Sequence, residues 1–167
     1  MLGSRQHARR ALEAYLRQEG VTYQGGEVWC RNAAPELGDL STPDLVLERP
    51  GGVWLWDVKG RKFPSGVKKP QYWRNWVGQE DLVALARWEA RLGGRGFFVF
   101  AYEIFLNQAP VLEEHLFAFQ GKEYAFIAIS LGDYASHCRH LSARWQTVTM
   151  SVKAFRELAR PLDELLN

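Results

Sequence analysis

Residues 42–59 read TPDLVLERPGGVWLWDVK and carry the strongest structural signal in this chain. Two largely apolar runs, 45–47 and 53–58, flank an Arg-Pro-Gly-Gly sequence. Pro presets φ and Gly tolerates a positive φ, so Pro50 and Gly51 predict a type II turn. The stretch therefore predicts a β-hairpin that is folded symmetrically about the bond between these two residues.

The predicted register gives one face of the hairpin a chemical character. Asp44 faces Asp57, and directly opposed residues have Cβ atoms roughly 4.5–5.5 Å apart. Lys59 lies two residues beyond Asp57 and points the same way. Opposed carboxylates repel each other unless one is protonated or a cation lies between them, and such oxygen ligands suit Mg²⁺, Mn²⁺ or Ca²⁺. A lysine beside that ion suits polarisation of a phosphodiester and activation of a water. A register slip of one residue would move one Asp to the other face.

The same residues carry a family pattern. Pro43-Asp44, twelve intervening residues and then Asp57-Val58-Lys59 resemble the PD-(D/E)xK nuclease superfamily. The resemblance implies an α/β, restriction-endonuclease-like core of order αβββαβ, with a mixed sheet flanked by helices. It also implies Mg²⁺ or Mn²⁺ held by Asp44, Asp57 and the Val58 carbonyl, with Lys59 orienting or deprotonating the attacking water. Nucleic acid is the implied partner, with DNA favoured over RNA. A homodimer stays open, since many nucleases of this fold dimerise.

Residues 4–18 predict the first helix, with an apolar stripe at helical spacing, Ser4 as N-cap and Gly20 as the C-terminal stop. Glu13 lies near the edge of that stripe. In the superfamily a first-helix carboxylate often faces the metal, so the resemblance makes Glu13 a candidate third acidic ligand and catalytic residue. The alternative is a surface Glu paired with Arg9 or Arg17, four residues away.

A second resemblance begins in the first helix, to an uncharacterised bacterial family called HYExAFE after its N-terminal motif. The residues that match the motif are His7, Ala11 and Glu13, and those that depart from it are Ala8, Arg9 and Leu12. The resemblance continues through residues 57–64, 75–77, 98–102, 124–126 and 159–165. It implies no established activity.

The segment 60–76 mixes basic and aromatic residues with Gly and Pro, which predicts a loop leaving the hairpin at the carboxylate end. Its candidate nucleic-acid-binding residues are Arg61, Lys62, Lys68, Lys69, Tyr72 and Trp73. The basic residues would hold phosphates, and Tyr72, Trp73 or Phe63 would stack on an unpaired base. The alternative is a solvated loop whose aromatic side chains anchor it to the core.

The remaining pattern completes an α/β domain. Residues 78–92 predict a helix. The resemblance to the nuclease superfamily implies that Gln79 or Glu80 on this helix would reach the site, and the alternative is that they only cap its first turn. Residues 96–102 predict a strand buried on both faces. The other predicted elements are a bent strand over 21–29, a loop over 32–39, an added hairpin at 116–119 and 124–129, a helix over 131–139, a strand at 147–150, and a closing helix capped by Ser151 that kinks near Pro161.

The length and composition of the chain restrict the classes of protein to which it can belong. The chain of 167 residues predicts one domain over 1–167, and its net charge of +2 confines any nucleic-acid surface to a local patch. Two Cys provide no disulfide framework, and together with an N-terminus without a long apolar run they favour a cytoplasmic protein. No stretch is long and apolar enough to predict a membrane span. Fifteen of the 21 basic residues are Arg, which favours a GC-rich bacterial source.

Two functions remain open from the sequence. The first is a divalent-metal-dependent, nuclease-like phosphodiesterase that hydrolyses nucleic acid. The second is a catalytically inactive module of the same fold that binds nucleic acid or a protein partner. A third hypothesis gives the hairpin only a structural role, with Lys59 pairing Asp57, and it predicts that Asp57→Asn destabilises the fold.

Overall fold

The computed structural model describes residues 3–105 and 110–167. Its helices are α1 (Gly3–Gln18), α2 (Gly26–Ala33), α3 (Gln79–Leu92), α4 (Leu131–His137), α5 (Val152–Leu158) and α6 (Leu162–Leu166). Its strands are β1 (Gln24–Gly25), β2 (Leu45–Arg49), β3 (Gly52–Phe63), β4 (Val77–Gly78), β5 (Arg95–Ile104), β6 (Leu116–Phe119), β7 (Lys122–Ser130), β8 (Arg139–Ser142), β9 (Thr147–Thr149) and β10 (Arg160–Pro161). Short 3₁₀ helices lie at Pro35–Leu37 and Pro110–His115.

The main sheet has the strand order β1-β2-β3-β5-β7-β10, and β6 pairs with β7 at its side. Strands β3 and β5 are parallel, and the other pairs are antiparallel. Helix α1 covers one face with an apolar stripe that includes Leu12 and Leu16. Helix α3 covers the other face with Leu85 and Trp88. The predicted αβββαβ core with an added hairpin is therefore confirmed.

Strand β5 forms the centre of the core. Phe98 and Phe100 point to the α3 side, whereas Phe97 and Val99 point to the α1 side. All four side chains are at most 2% exposed. The near-continuous apolar run from residue 96 to 102 thus predicted a doubly covered strand correctly.

The hairpin register is confirmed along strand β2, from the pair Leu45–Trp56 to the pair Arg49–Gly52, whereas the predicted Asp44–Asp57 pair lies beyond the end of β2. Leu45 pairs with Trp56 and Leu47 with Trp54, which is the symmetric pairing that the sequence predicted. The predicted turn type is wrong. The positive φ, 132°, falls at Gly52, whereas a type II turn needs it one residue earlier. The register survives because the apolar faces of both strands are buried, and a slip would expose them.

Residues 26–33 form a helix and not the predicted strand. Gly26 lies where a Cβ would come within 1.8 Å of the Pro43 carbonyl oxygen, and its amide donates to the Asp44 carbonyl at 2.9 Å. From there Gly26, Cys30 and Ala34 recur every fourth residue and are buried, which is a helical spacing. The predicted loop at 32–39 is consequently shorter, because helix and 3₁₀ turn occupy much of it.

Strand β3 runs on to Phe63, so Arg61 and Lys62 lie on a strand and not in the predicted loop. The Gly and the charged residues of 60–62 form no strand pattern. Pairing with Ala101, Tyr102 and Glu103 of β5 nevertheless keeps this part of the chain extended. Pairing with strand β5 therefore outweighs the low strand propensity of these residues.

A second, small sheet of order β4-β9-β8 packs beside the main one, and strands β4 and β8 were not predicted from the sequence. The closing helix is also different from its prediction. Helix α5 begins at the expected cap, where the Ser151 side chain accepts a hydrogen bond from the Ala154 amide. It ends at Leu158, and Pro161 lies in an edge strand against β7 instead of kinking a helix. None of the helices within the described residues is long and apolar enough to cross a membrane.

Candidate active site

The two hairpin carboxylates lie just past the point where β2 meets β3. The Asp44 amide donates to the Trp56 carbonyl at 2.8 Å, which is one residue out of the hairpin register, in which Trp56 pairs with Leu45. The Asp44 Oδ2 accepts a hydrogen bond from the Val58 amide at 2.7 Å. The N–H and C=O groups of a strand residue point to the same edge, so the Val58 carbonyl also faces the side on which Asp44 lies.

Lys59 connects this pair to a third carboxylate. Its Nζ lies 3.4 Å from Asp57 Oδ2 and 2.6 Å from Asp81 Oδ2. The lysine is 8% exposed, so its position is set by packing as well as by charge. Asp81 belongs to the first turn of α3, and the structure brings it to the site although it was not predicted there. It precedes Leu85 by four residues and Trp88 by seven, so extending the apolar stripe backwards would have identified it.

Asp57 is a carboxyl group of the site whose pKa is raised by its surroundings. Burial raises its pKa from 3.8 to about 7, against the opposing effect of the Lys59 cation. The negative charges of Asp44 and Asp81 raise the pKa further, as does a side-chain hydrogen bond with Asp44. In the protein without metal, Asp57 is therefore partly protonated near neutral pH, as expected for a buried carboxyl group beside other carboxylates.

Helix α1 contributes a cation where a carboxylate was expected. Arg9 Nη1 lies 3.6 Å from Asp44 Oδ1, and Arg9 Nε lies 3.7 Å from Glu13 Oε2. Glu13 thus pairs with Arg9, the alternative that the sequence had left open. Within the described residues, no three acidic, His or Cys side chains are placed to share a metal ion. A direct role for Glu13 as a ligand stays a prediction.

The other α3 candidates lie elsewhere. Gln79 and Glu80 are exposed and line a depression with Ser41 and Gln146, away from the hairpin carboxylates. The structure does not bring them together with Asp57. The helix phase explains this, because Asp81 occupies the sheet-facing position of the first turn.

The aromatic residues of the 64–76 loop pack inward. Trp73 contacts Phe63 and Tyr102 at ring distances of 5.0 and 5.8 Å, and the Arg156 guanidinium lies over its ring at 5.1 Å. Tyr72 meets Phe63 edge-on at 5.1 Å, and Phe63 itself is 3% exposed. These contacts match the second alternative, in which the aromatic side chains anchor the loop to the core. Phe63 is too buried to stack on a base, and stacking by Tyr72 or Trp73 stays a prediction.

Buried Asn75 fixes the same loop to the second sheet. Its Oδ1 accepts from the Met150 amide at 2.8 Å and from Thr149 Oγ1 at 3.0 Å, and its Nδ2 donates to the Trp73 and Met150 carbonyls. The loop is therefore held in place by hydrogen bonds as well as by aromatic packing.

The basic candidates of this region divide into two groups. Lys68 and Lys69 are exposed on the loop, whereas Arg61 and Lys62 line a cavity beside β3. Only the second pair lies on the strand that carries Asp57 and Lys59. Phosphate binding by any of the four stays a prediction.

That cavity has a volume of about 830 Å³ and is lined by Gly60, Arg61 and Lys62, which directly follow Lys59 on strand β3. Its walls include Arg61, Arg74 and Trp76 on one side and Ala8 on the α1 side. Trp145, which was not predicted to belong to a site, forms part of its rim and is 69% exposed. Its only signal in the sequence is a Trp within a polar turn.

The donor set fits a divalent metal ion. Asp44 and Asp57 supply two adjacent, largely buried carboxylates, and the Val58 carbonyl faces the same edge. Mg²⁺ is held in proteins by one or two carboxylates and keeps several waters, so a third acidic side chain is not needed. Burial is the main cause of the raised pKa of Asp57, and the negative charges of Asp44 and Asp81 add to it; a bound cation would stabilise the ionised form against both effects.

Comparisons with known proteins establish the fold of the chain and nothing further. No family model matches the chain, so the HYExAFE resemblance stays a prediction, and no curated protein matches either. Among solved structures, the chain is similar to Hjc of Archaeoglobus fulgidus, a Holliday junction resolvase from an archaeal hyperthermophile. The match has a TM-score of 0.56 and 10% identity, and it covers 96% of this chain and 93% of that chain. The chain therefore has the restriction-endonuclease-like fold that its hairpin predicted.

Proposed function

We propose that this protein is a divalent-metal-dependent nuclease that hydrolyses phosphodiester bonds in nucleic acid. One observation carries the proposal: the open end of the hairpin holds Asp44, bound to the Val58 amide at 2.7 Å, and Asp57, whose Oδ2 lies 3.4 Å from the Lys59 ammonium. The fold that the chain shares with a Holliday junction resolvase supports the same class of chemistry.

Each side chain has a role that follows from its position. Asp44, Asp57 and the Val58 carbonyl would hold Mg²⁺ or Mn²⁺, which when bound polarises the scissile phosphate and lowers the pKa of a bound water. Lys59 would donate a hydrogen bond to a phosphate oxygen or to the attacking water, and so offset negative charge in the transition state. Asp81 would position Lys59, because it holds the ammonium at 2.6 Å.

Nucleic acid is the substrate that the surroundings favour. Arg61, Lys62 and Arg74 line the cavity beside strand β3, the strand that carries Asp57, which supplies a local basic patch in a chain of net charge +2. We propose DNA over RNA and a cytoplasmic location. A homodimer would allow both strands of a duplex to be cut.

A second candidate is a non-catalytic module of the same fold that binds nucleic acid or a protein partner. Arg9 favours it, because its guanidinium lies 3.6 Å from Asp44 and places a cation beside the proposed metal ligands. In that module the charges would be neutralised within the protein, and nucleic acid would bind without cleavage.

Cleavage assays separate the two candidates. Labelled single-stranded, duplex and branched oligonucleotides are incubated with Mg²⁺ or Mn²⁺ and wild type, Asp57→Ala or Lys59→Ala. Asp163→Ala is the matched control, because Asp163 lies on α6 and pairs with His115. The nuclease predicts cleavage by wild type and the control, and at least about a 100-fold loss in the other variants. Binding without cleavage by wild type would support the module instead.

A further inference from the structure

The hairpin formed by β8, its turn and β9 places an aromatic side chain at the mouth of the cavity. We call residues 139–149 the Trp145 hairpin. Trp145 is 69% exposed, and the Arg144 guanidinium lies 5.0 Å from the centre of its ring. An indole this exposed is available to stack on another ring, and an adjacent guanidinium favours a partner attached to phosphate.

The cavity is lined by the guanidinium of Arg61, whose charge is stabilised by Asp57 only from beyond ion-pair distance. Arg61 stacks over Trp76 at 3.9 Å and donates to the Gly60 and Trp76 carbonyls. Its Nε is buried without a hydrogen-bond partner, and no carboxylate of the described residues forms an ion pair with it. A buried cation is unfavourable unless an anion or hydrogen bonds compensate it. An anion such as a phosphate would complete this site.

The cavity lies along strand β3, the same strand that carries Asp57 and Lys59. Strand β2 pairs with β3 only as far as Trp56, and in the described part of the chain no strand pairs with that edge of β3 farther on. Arg61 follows Lys59 by two residues, so its backbone lies roughly 7 Å farther along the same strand, facing the same way. Each strand of a nucleic acid carries one phosphate per nucleotide, so a strand that lies along this edge would present more than one phosphate to it.

The dimensions of the cavity suit a single nucleotide. Ligand sites in proteins range from about 300 to 1,000 Å³, and this cavity has about 830 Å³. Its wall combines apolar rings, Trp76 and Trp145, with the cations of Arg61 and Arg74. A base inside a duplex has both of its faces stacked, so Trp145 is able to stack only on an unpaired base.

We propose that this cavity binds an unpaired nucleotide next to the scissile phosphate, with Trp145 stacking on its base and Arg61 bonding its phosphate. This inference rests on the proposed function, and it names the substrate class as nucleic acid with unpaired nucleotides. Gapped, flapped or single-stranded molecules then bind in preference to fully paired duplex.

Fluorescence anisotropy with labelled oligonucleotides tests the proposal in EDTA, where no cleavage occurs. The substrates are a single strand, the same strand fully paired, and a duplex with a three-nucleotide gap. Trp145→Ala is expected to weaken binding to the strand and the gapped duplex by about 5- to 150-fold, the effect of losing one stacked base. Binding of Trp145→Ala to the full duplex is expected to change less than about two-fold. Trp145→Phe keeps an aromatic ring and is expected to restore the preference for substrates with unpaired nucleotides.

One control variant and one further test variant accompany the measurement. Val28→Ala removes an apolar side chain that is 71% exposed on α2 and is expected to change nothing. Arg61→Gln is expected to lower the slope of log affinity against log salt concentration by about one, since one phosphate contact is lost. Circular dichroism establishes that each variant is folded, and sedimentation establishes its oligomeric state.

Several results would overturn the inference. Wild type that binds all three substrates equally, or fails to bind any, contradicts it, as does Trp145→Ala with wild-type affinity. A dimer that dissociates in Trp145→Ala assigns the exposed ring to a second copy of the chain. The nuclease proposal fails through a different result. In that case the affinity for unpaired oligonucleotides depends on Trp145, but wild type neither binds Mn²⁺ nor cleaves nucleic acid. If wild type cleaves nucleic acid but Trp145→Ala binds it with wild-type affinity, the nucleotide site is refuted and the nuclease proposal stands.

Discussion

Asp57→Asn is predicted to stabilise the metal-free protein at alkaline pH. Asn keeps the shape of Asp and a hydrogen-bond donor toward Asp44, but it carries no charge. In the folded protein burial and the neighbouring carboxylates raise the pKa of Asp57 to about 7, against 3.8 for an exposed Asp. Each pKa unit corresponds to about 1.4 kcal/mol, so the charged form of Asp57 opposes folding by about 2–4 kcal/mol at pH 8.

The sign of the effect determines its pH window. Because the pKa of this acid is raised, folding favours the protonated form, and that stability is present in full below pH 3.8. It is lost progressively as pH rises to about 7 and stays lost above that value. The stability difference between Asp57→Asn and wild type is therefore expected to be near zero at pH 4 and greatest at pH 8.

Urea unfolding in EDTA, followed by circular dichroism at pH 4 and pH 8, measures this difference. Asp163→Asn provides the control, because Asp163 is 43% exposed and its partner is His115. If Asp57→Asn destabilises the protein at pH 8, Asp57 is a structural partner of Lys59 and the reasoning fails. The predicted result would instead show a carboxylate pair that is retained at a cost in stability, as ligand sites often are.

The contacts around the two carboxylates support three more predictions. Asp81→Asn releases Lys59 and is expected to lower kcat about 10-fold or more while Mn²⁺ affinity, measured by calorimetry, stays within two-fold. Arg9→Gln removes a half-exposed cation beside Asp44 and is expected to raise Mn²⁺ affinity by about two- to five-fold in the same titration. Because Mn²⁺ displaces the proton of Asp57, its affinity is expected to rise about 10-fold per pH unit below 7 and to level off above it, and a flat profile would contradict this.

The hairpin and its register could be predicted from the sequence because two independent signals agreed. The turn residues placed the fold line, and the alternation of apolar side chains placed the faces. Asp44, Asp57 and Lys59 could therefore be brought together by sequence reasoning alone. The turn type itself was wrong, because Gly51 and Gly52 both tolerate a positive φ and the local sequence does not show which of them adopts it.

Features fixed by tertiary contacts were harder to predict. Helix α2 begins at Gly26 because the backbone passes within contact of Pro43, which only the folded chain reveals. Strands β4 and β10 are two residues long and exist through pairing with a partner strand. The cavity depends on the placement of the Trp145 hairpin beside β3, so no local pattern indicated that Trp145 and Arg61 share a site.

Calorimetric titration with Mn²⁺ is the decisive experiment on the proposed metal site. Wild type is compared with Asp57→Ala, and circular dichroism establishes that the variant is folded. The opposed carboxylates predict one site per chain in wild type that is absent from Asp57→Ala. Equal binding by both proteins, or no binding by wild type even with an oligonucleotide present, would contradict a metal site at Asp44 and Asp57.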